Sequence, residues 1–459
     1  MVLATLLVTT YLVVYGTLAI LRHRTFHSYG FDLALFDQVF WNSTQGHLFE
    51  STISQANPHP HSYLGDHWSP VFALLLPFYA AYPHPETLLL LQTLSLGLGA
   101  IPIYLLARLK LEPGLQRLAW VVAYFLFLPV AYISLFDFHE VALSVLPLGL
   151  ALYFLETQRY PGFVACLALT LLIKEEMPLV SFGFGVYALL GKRLLPLGLG
   201  LMAGSLAAFL VIVQVAIPHF AGGAAYPYLA LRYGALGSTP LQIAETALSN
   251  PVKIARIVFQ YHKVAFLLGL FGPVLGLTVL ARWAAILVLP TLGYLLLSAY
   301  GPESSFATQY SAPLIALILG TSILAFARLP RGWRAPLATG VLASSLAFSY
   351  AFGDLPFSRH FDLSRFVAEP RYVAFSATLR AVPANASVAS QDGLTSHLAE
   401  RRRIYSIGFQ SITAADYVVL DYASDGRDPA RHAARVAVIE AMGYDEVASG
   451  PGLALLKKR

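Results

Sequence analysis

Long apolar runs separated by short polar breaks fill the first three quarters of the chain. Runs near 2–21, 86–107, 117–135, 141–156, 161–173, 177–190, 194–217, 264–280, 283–300, 311–327 and 335–352 predict about eleven helices in lipid. The rule is length: a helix needs about 20 mostly apolar residues to cross the hydrocarbon. Runs 141–156, 161–173 and 177–190 are short, and burial in a bundle or a thin bilayer accommodates them. The first long break, 22–85, is itself patterned. Phe31, Leu35, Phe36, Val39 and Phe40 recur at helical spacing and predict an amphipathic helix in the membrane interface. Residues 68–82 are apolar but too short to span, which predicts a second interfacial or re-entrant helix. The turn-rich Asn57-Pro-His-Pro-His61 lies between them. A second long break, 218–263, carries Tyr226, Tyr228 and Tyr233 and a further helical pattern over 240–261.

Beyond residue 352 the pattern changes. Short alternating runs at 387–390, 403–407 and 417–420 predict strands, and 429–442 predicts a helix with Ala and Val on one face. A mostly α polytopic bundle over 1–352, followed by a small soluble α/β domain over 353–459, is the expected architecture. Composition agrees. The 459 residues are 57% hydrophobic and 12% charged, with a mean hydropathy of +0.64, whereas a soluble domain is about 25% charged. Residues 1–352 hold 30 charged side chains, and the 107 residues after them hold 25.

The net charge of +5 raises the question of nucleic acid. No basic stripe with interleaved aromatics exists, so nucleic acid is excluded as a partner. The cations instead flank apolar runs. Loops 108–117, 157–160, 191–193, 281–282 and 328–334 hold ten Lys and Arg in 26 positions. Basic short loops face the cytoplasm. The expectation is a plasma-membrane protein with a cytoplasmic N-terminus and, after an odd number of spans, an extracytoplasmic C-terminal domain. Met1–Leu21 lacks a basic start and a small-residue cleavage site, so it is expected to be a span and not a signal peptide. Arg22 and Arg24, just after it, run against the charge pattern. Cys166 is the single cysteine, so no disulfide forms within the chain.

Eleven of the thirteen carboxylates before residue 353 fall in the loops expected outside. Carboxylates beside an apolar region are costly unless paired, hydrated or metal-bound, so a one-sided collection suggests a site. Asp32 and Asp37 open the first interfacial helix, and each is a cap or a general base. Asp137, His139 and Glu140 share one short turn, where oxygen and imidazole ligands suit a divalent cation such as Mg or Mn, or an acceptor. A helix cap at the surface is the alternative. Lys174-Glu175-Glu176 marks another turn, as an interfacial anchor or part of a site. Asp66 and His67 open the second interfacial helix, and Arg232 is a cation that could offset phosphate charge. Seven of thirteen histidines lie between His23 and His84, consistent with metal binding or with a solvated loop.

The run Phe31-Asp-Leu-Ala-Leu-Phe-Asp-Gln-Val-Phe-Trp41 resembles domain-of-unknown-function family 2079, a family of prokaryotic multi-pass membrane proteins. So do Asp66-His-Trp-Ser-Pro70, Phe136-Asp-Phe-His-Glu140, Lys174-Glu-Glu176, His397-Leu-Ala-Glu-Arg401 and Asp416-Tyr-Val-Val-Leu-Asp421. That family's layout is similar to the GT-C glycosyltransferase superfamily. The resemblance implies a catalytic Asp early in the first outer loop, at Asp32 or Asp37, and an acidic motif in the next outer loop, at Asp137 with His139. It also implies a polyprenyl-phosphate sugar donor. The second motif departs from the pattern by reading Asp-Phe-His-Glu. A transporter or lipid translocator, or a non-catalytic envelope scaffold, is the alternative. Against the transporter, the chain shows no internal repeat and no mid-span carboxylates.

Overall fold

The computed structural model describes residues 2–53, 60–408, 410–422, 426–450 and 452–459. Asn57, Pro58 and His59 of the turn-rich stretch lie outside the described residues. Helices dominate, and among the described residues seven are long and apolar enough to cross a membrane: Leu3–Arg24, Pro85–Lys110, Leu115–Leu135, Leu195–Phe220, Leu277–Leu297, Gln309–Phe326 and Arg331–Phe352. A pair bent by 73°, Pro251–Val258 with Tyr261–Val274, makes an eighth if counted as one span. The count of eleven is not confirmed. The runs at 141–156, 161–173 and 177–190 form helices Val145–Glu156, Tyr160–Thr170 and Met177–Val186, of 12, 11 and 10 residues. At 1.5 Å per residue each covers roughly 15–18 Å, about half the hydrocarbon thickness.

The helix Gln309–Phe326 is the centre of the bundle, with 94% of its apolar window buried. It packs against Leu277–Val288 and Val145–Glu156, where small residues permit close approach. Gly149, for example, faces the ring of Pro102.

The first loop folds as two short helices, Leu35–Thr44 and Phe72–Ala81. The second of these exposes Leu74 and Phe78, as an interfacial helix should. The first does not lie open on lipid. Leu35, Phe36, Val39 and Phe40 are all buried, with Phe40 stacked near Phe72 and Tyr79, and burial of each such side chain is worth about 1.5–3 kcal/mol. Its polar face is covered too, because the C-terminal domain packs on it.

That domain carries a five-stranded sheet. Its strands are β3 (Val388–Ser390), β4 (Ile404–Ser406), β5 (Tyr417–Asp421), β6 (Tyr444–Gly450) and β7 (Leu453–Lys458), in the order β4-β3-β5-β7-β6. β1 (Glu50–Ser51) and β2 (His61–Ser62) form a separate two-stranded ribbon in the first loop. β3 pairs parallel with β4 and β5, and β7 runs antiparallel to β5 and β6. The helix Pro429–Ala441 follows β5, capped by Asp428, whose carboxylate accepts the Ala430 and Arg431 N–H groups. One apolar core runs continuously from the bundle through the first loop into this domain, including Phe366, Phe375, Val388 and Leu398.

Candidate active site

Asp32 sits in a π turn, Gly30–Ala34, that leads into the helix Leu35–Thr44. Single π turns inside helices concentrate at functional sites because they re-aim a side chain. The Asp32 carboxylate caps no backbone N–H. It points at His139, with Oδ1 3.2 Å from Nε2, and its side chain stays 28% exposed. His139 Nδ1 lies 3.0 Å from the Asp137 carbonyl, so Nδ1 carries the proton there. Only the protonated imidazole can also donate from Nε2, so the contact is an imidazolium on a carboxylate. Burial disfavours that charge on His139, but the Asp32 hydrogen bond and charge outweigh it and raise its pKa.

Asp137 is placed differently. It is fully buried, its Oδ1 takes Arg22 at 2.6 Å, and its Oδ2 accepts the Tyr29 N–H at 2.7 Å. Burial pushes the Asp137 carboxyl up, against the pull of Arg22. Gln92, from the span Pro85–Lys110, fixes the turn by accepting the His139 N–H and donating to the Ile133 and Asp137 carbonyls. The two arginines that break the loop-charge pattern are thus both neutralised, Arg22 by Asp137 and Arg24 by Glu86.

Glu140 is also buried, with Oε1 2.6 Å from Lys174 Nζ. Glu175 holds the first loop: Oε1 takes His67 Nδ1 at 2.6 Å and the Tyr226 hydroxyl at 2.6 Å, and Oε2 accepts the Trp68 N–H. Burial alone would raise Glu175, yet His67, Lys174 and Tyr226 hold it below the usual carboxylate range. Its neighbour Glu176 lacks such partners. Burial and the Glu175 charge push it up to about 8. Asp66 lies 3.0 Å from His61. Asp37 is placed differently from Asp32: fully buried, it accepts the Tyr79 hydroxyl at 2.6 Å, and its other oxygen has no partner among the described residues. Burial drives its pKa well up.

Asp32, Asp66, His67, His139, Lys174 and Arg232 line one polar cavity of about 360 Å³, together with the rings of Phe31, Phe36, Tyr63, Tyr228, Tyr300 and Tyr310. A second cavity, about 450 Å³, is walled by Leu179, Phe182, Phe209, Val213, Ile243 and Pro290, with Glu175 and Glu176 at its rim. Tyr228, Arg232 and Tyr310 belong to both. Arg232 is fixed at this junction by Glu303 at 2.6 Å and by the faces of Tyr228, Tyr300 and Tyr310 at 4.7–5.7 Å. Sequence reading counted Glu303 only among the carboxylates expected outside and passed over Tyr300 and Tyr310. Their only signal was their position beside a span, and nothing local ties them to Arg232.

Asp137, His139 and Glu140 do not converge as a ligand set. Arg22 and a backbone N–H hold one oxygen each of Asp137, Lys174 holds Glu140 Oε1 while Oε2 has no partner among the described residues, and the His139 ring nitrogens are turned to a carbonyl and to Asp32. Among the described residues no group of three or more His, Cys, Asp or Glu side chains is placed to hold a metal ion.

Among solved structures, the fold resembles ArnT from Cupriavidus metallidurans bound to undecaprenyl phosphate. The TM-score is 0.53 at 11% identity, covering 98% of this chain and 97% of that one. No curated protein sequence matches the chain. The family model described as predicted membrane protein (DUF2079) matches residues 22–455. This integral membrane protein therefore belongs to domain-of-unknown-function family 2079.

Proposed function

We propose that the protein is a membrane glycosyltransferase that takes a sugar from a polyprenyl-phosphate donor at the extracytoplasmic face. The observation that carries the reading is the junction at Arg232, where an apolar cavity meets a polar, aromatic-lined one. Prenyl units fit the wall of Leu179, Phe182, Phe209 and Val213. The phosphate would then lie at Arg232, with Lys174 close by, and the sugar among the rings of the polar cavity. The likeness to a fold bound to undecaprenyl phosphate supports the lipid class, and the basic loops at the other end of the bundle support the orientation.

In this reading Asp32 is the general base. His139 holds one carboxylate oxygen and leaves the other facing the cavity. As the acceptor hydroxyl attacks the anomeric carbon, its proton passes to Asp32. The anomeric C–O bond breaks, and polyprenyl phosphate leaves with the electron pair, its charge offset by Arg232 and Lys174. Asp137 is paired with Arg22, Glu140 with Lys174 and His139 with Asp32, so each role above falls to a side chain of the protein.

The test is binding and transfer in reconstituted full-length protein. Undecaprenyl phosphate should bind, and Arg232→Gln combined with Glu303→Gln, which removes both charges of the pair, should weaken it about 10–100-fold. Transfer of labelled sugar from polyprenyl-phosphate sugars should fall with it. Binding that is unchanged in the double variant would sink the phosphate assignment.

A further inference from the structure

In open α/β sheets, ligands bind outside the carboxyl ends of the parallel strands. In the C-terminal domain that edge is formed by Ser390 at the end of β3 and Ser406 at the end of β4, with the short helix Asp392–Thr395 leaving β3. It is already occupied by Gly30 of the π turn that carries Asp32. A Cβ added to Gly30 would lie 2.9 Å from Thr395 Cβ, 3.0 Å from its Oγ1 and 3.2 Å from Ser406 Oγ. Contacts this short leave room for no side chain, so the glycine is required by the approach of the domain. The Thr395 hydroxyl is itself fixed to Ser390, 3.0 Å from its Oγ. The short helix Asp392–Thr395 packs directly against the turn. One turn earlier, a Cβ on Gly393 would collide with the Phe26 carbonyl. His397 stacks on His23 at 4.2 Å, and its Nε2 lies 2.9 Å from the His23 carbonyl.

The downstream flank is fastened as well. The Thr52 hydroxyl donates to the Ile404 carbonyl at 2.6 Å and accepts the Ile404 N–H at 2.9 Å, so it extends the edge of β4. Gln38 donates to the Arg401 and Arg402 carbonyls. On its other side the turn is held through the Tyr29 N–H on Asp137. A π turn has poorer hydrogen bonding than an α turn and persists where its surroundings over-determine it. The C-terminal domain supplies half of those surroundings.

We infer that the C-terminal domain is a clamp acting within the chain, whose sheet edge takes the Gly30–Ala34 turn as its ligand and so aims Asp32 into the polar cavity. Thr395 and Gly30 are its positioning residues. The inference rests on the proposed function only for what Asp32 then does.

Hydrogen exchange on full-length protein in lipid nanodiscs tests it. In Gly30→Ala, peptides covering 26–36 should exchange at least about tenfold faster, while peptides from the spans do not change. Adding Thr395→Gly, which clears the clashing side chain, should bring exchange at 26–36 back towards wild type. Unchanged exchange at 26–36 in folded Gly30→Ala would overturn the clamp. So would a double variant that exchanges as fast as Gly30→Ala alone, because the turn would then not be held by its fit to the domain. A wild-type protein that transfers no sugar would count against the proposed function and leave the exchange result standing.

Discussion

At one end of the bundle Glu156 sits between Lys110 and Lys192, at 2.8 and 2.6 Å, and also accepts the Tyr187 hydroxyl at 2.7 Å; its side chain is 3% exposed. At the other end Asp32 has one side-chain partner, His139 at 3.2 Å, and keeps 28% of its side chain open to a cavity. Both are carboxylates of a membrane bundle, yet only one has most of its acceptor capacity unspent. A carboxylate offers about four lone-pair sites. Glu156 has spent three of them on neighbours that tie three helices together, and buried Asp137 has one bond on each oxygen, from Arg22 and Tyr29. Asp32 has spent one, and that partner lies beside it to orient it. The contrast separates a structural carboxylate from one available for chemistry.

Exchanging each acid for its amide breaks the comparison most sharply. Asp32→Asn should cut sugar transfer by about two to four orders of magnitude, because an amide accepts no proton, with thermal stability near wild type. Glu156→Gln should do the reverse. It should keep its activity per folded molecule but lose about 1–3 kcal/mol, less than the 3–5 kcal/mol of a fully buried pair, because the two lysines can rehydrate. If Glu156→Gln abolishes transfer at full stability, or Asp32→Asn merely unfolds the protein, the contrast fails.

Asp37 sharpens the comparison from a third side. It is enclosed, held by one tyrosine, and shifted well up by burial. A carboxyl with a raised folded pKa is protonated more readily folded than unfolded. Stability is therefore highest below the unfolded value of about 3.9 and falls as pH climbs towards the folded value. Asp37→Asn removes that penalty. Its melting temperature should exceed wild type at pH 8, by about 1–2 kcal/mol of stability, and the gain should disappear near pH 4. A loss of stability at pH 8, or of transfer, would mean that the ionised group is used after all.

Much of this was legible in the sequence, and the rest was not for physical reasons. Period 3.6 in the first loop located the first short helix, an apolar run too short to span located the second, and the spacing of apolar runs located the long spans. Asp32 and His139, 107 positions apart, were picked by chemistry and meet in space. The count of eleven is not confirmed, because apolar content does not distinguish a buried 12-residue helix from a crossing one. β6 and β7 were missed. Residues 444–450 are exposed along most of their length and show no alternation, and β7 ends in two lysines. Arg22 with Asp137, Arg232 with Glu303, and Gly30 with Thr395 are long-range pairings that no local pattern encodes.

The smallest expected effect concerns metal. The turn Asp137-Phe-His-Glu140 has the residue types of a divalent site, and a chelator would then abolish activity. Geometry argues otherwise. An ion at Asp137 would have to displace Arg22 from a fully buried carboxylate and leave a guanidinium without its partner, which is costly. At Glu140 an ion on the unpartnered Oε2 would lie beside Lys174, whose ammonium holds Oε1 and is kept charged against burial by the surrounding glutamates. An ion at either place strands or opposes a cation that is already there. Treatment with EDTA, followed by transfer with and without added Mg or Mn, should therefore change the rate by less than about twofold. The same treatment should leave the melting temperature unmoved, because an ion bound only to the native state raises stability by its binding linkage. A tenfold loss restored by Mg or Mn would show that substrate phosphate brings the ion with it, and would return the acidic turn to the list of metal ligands.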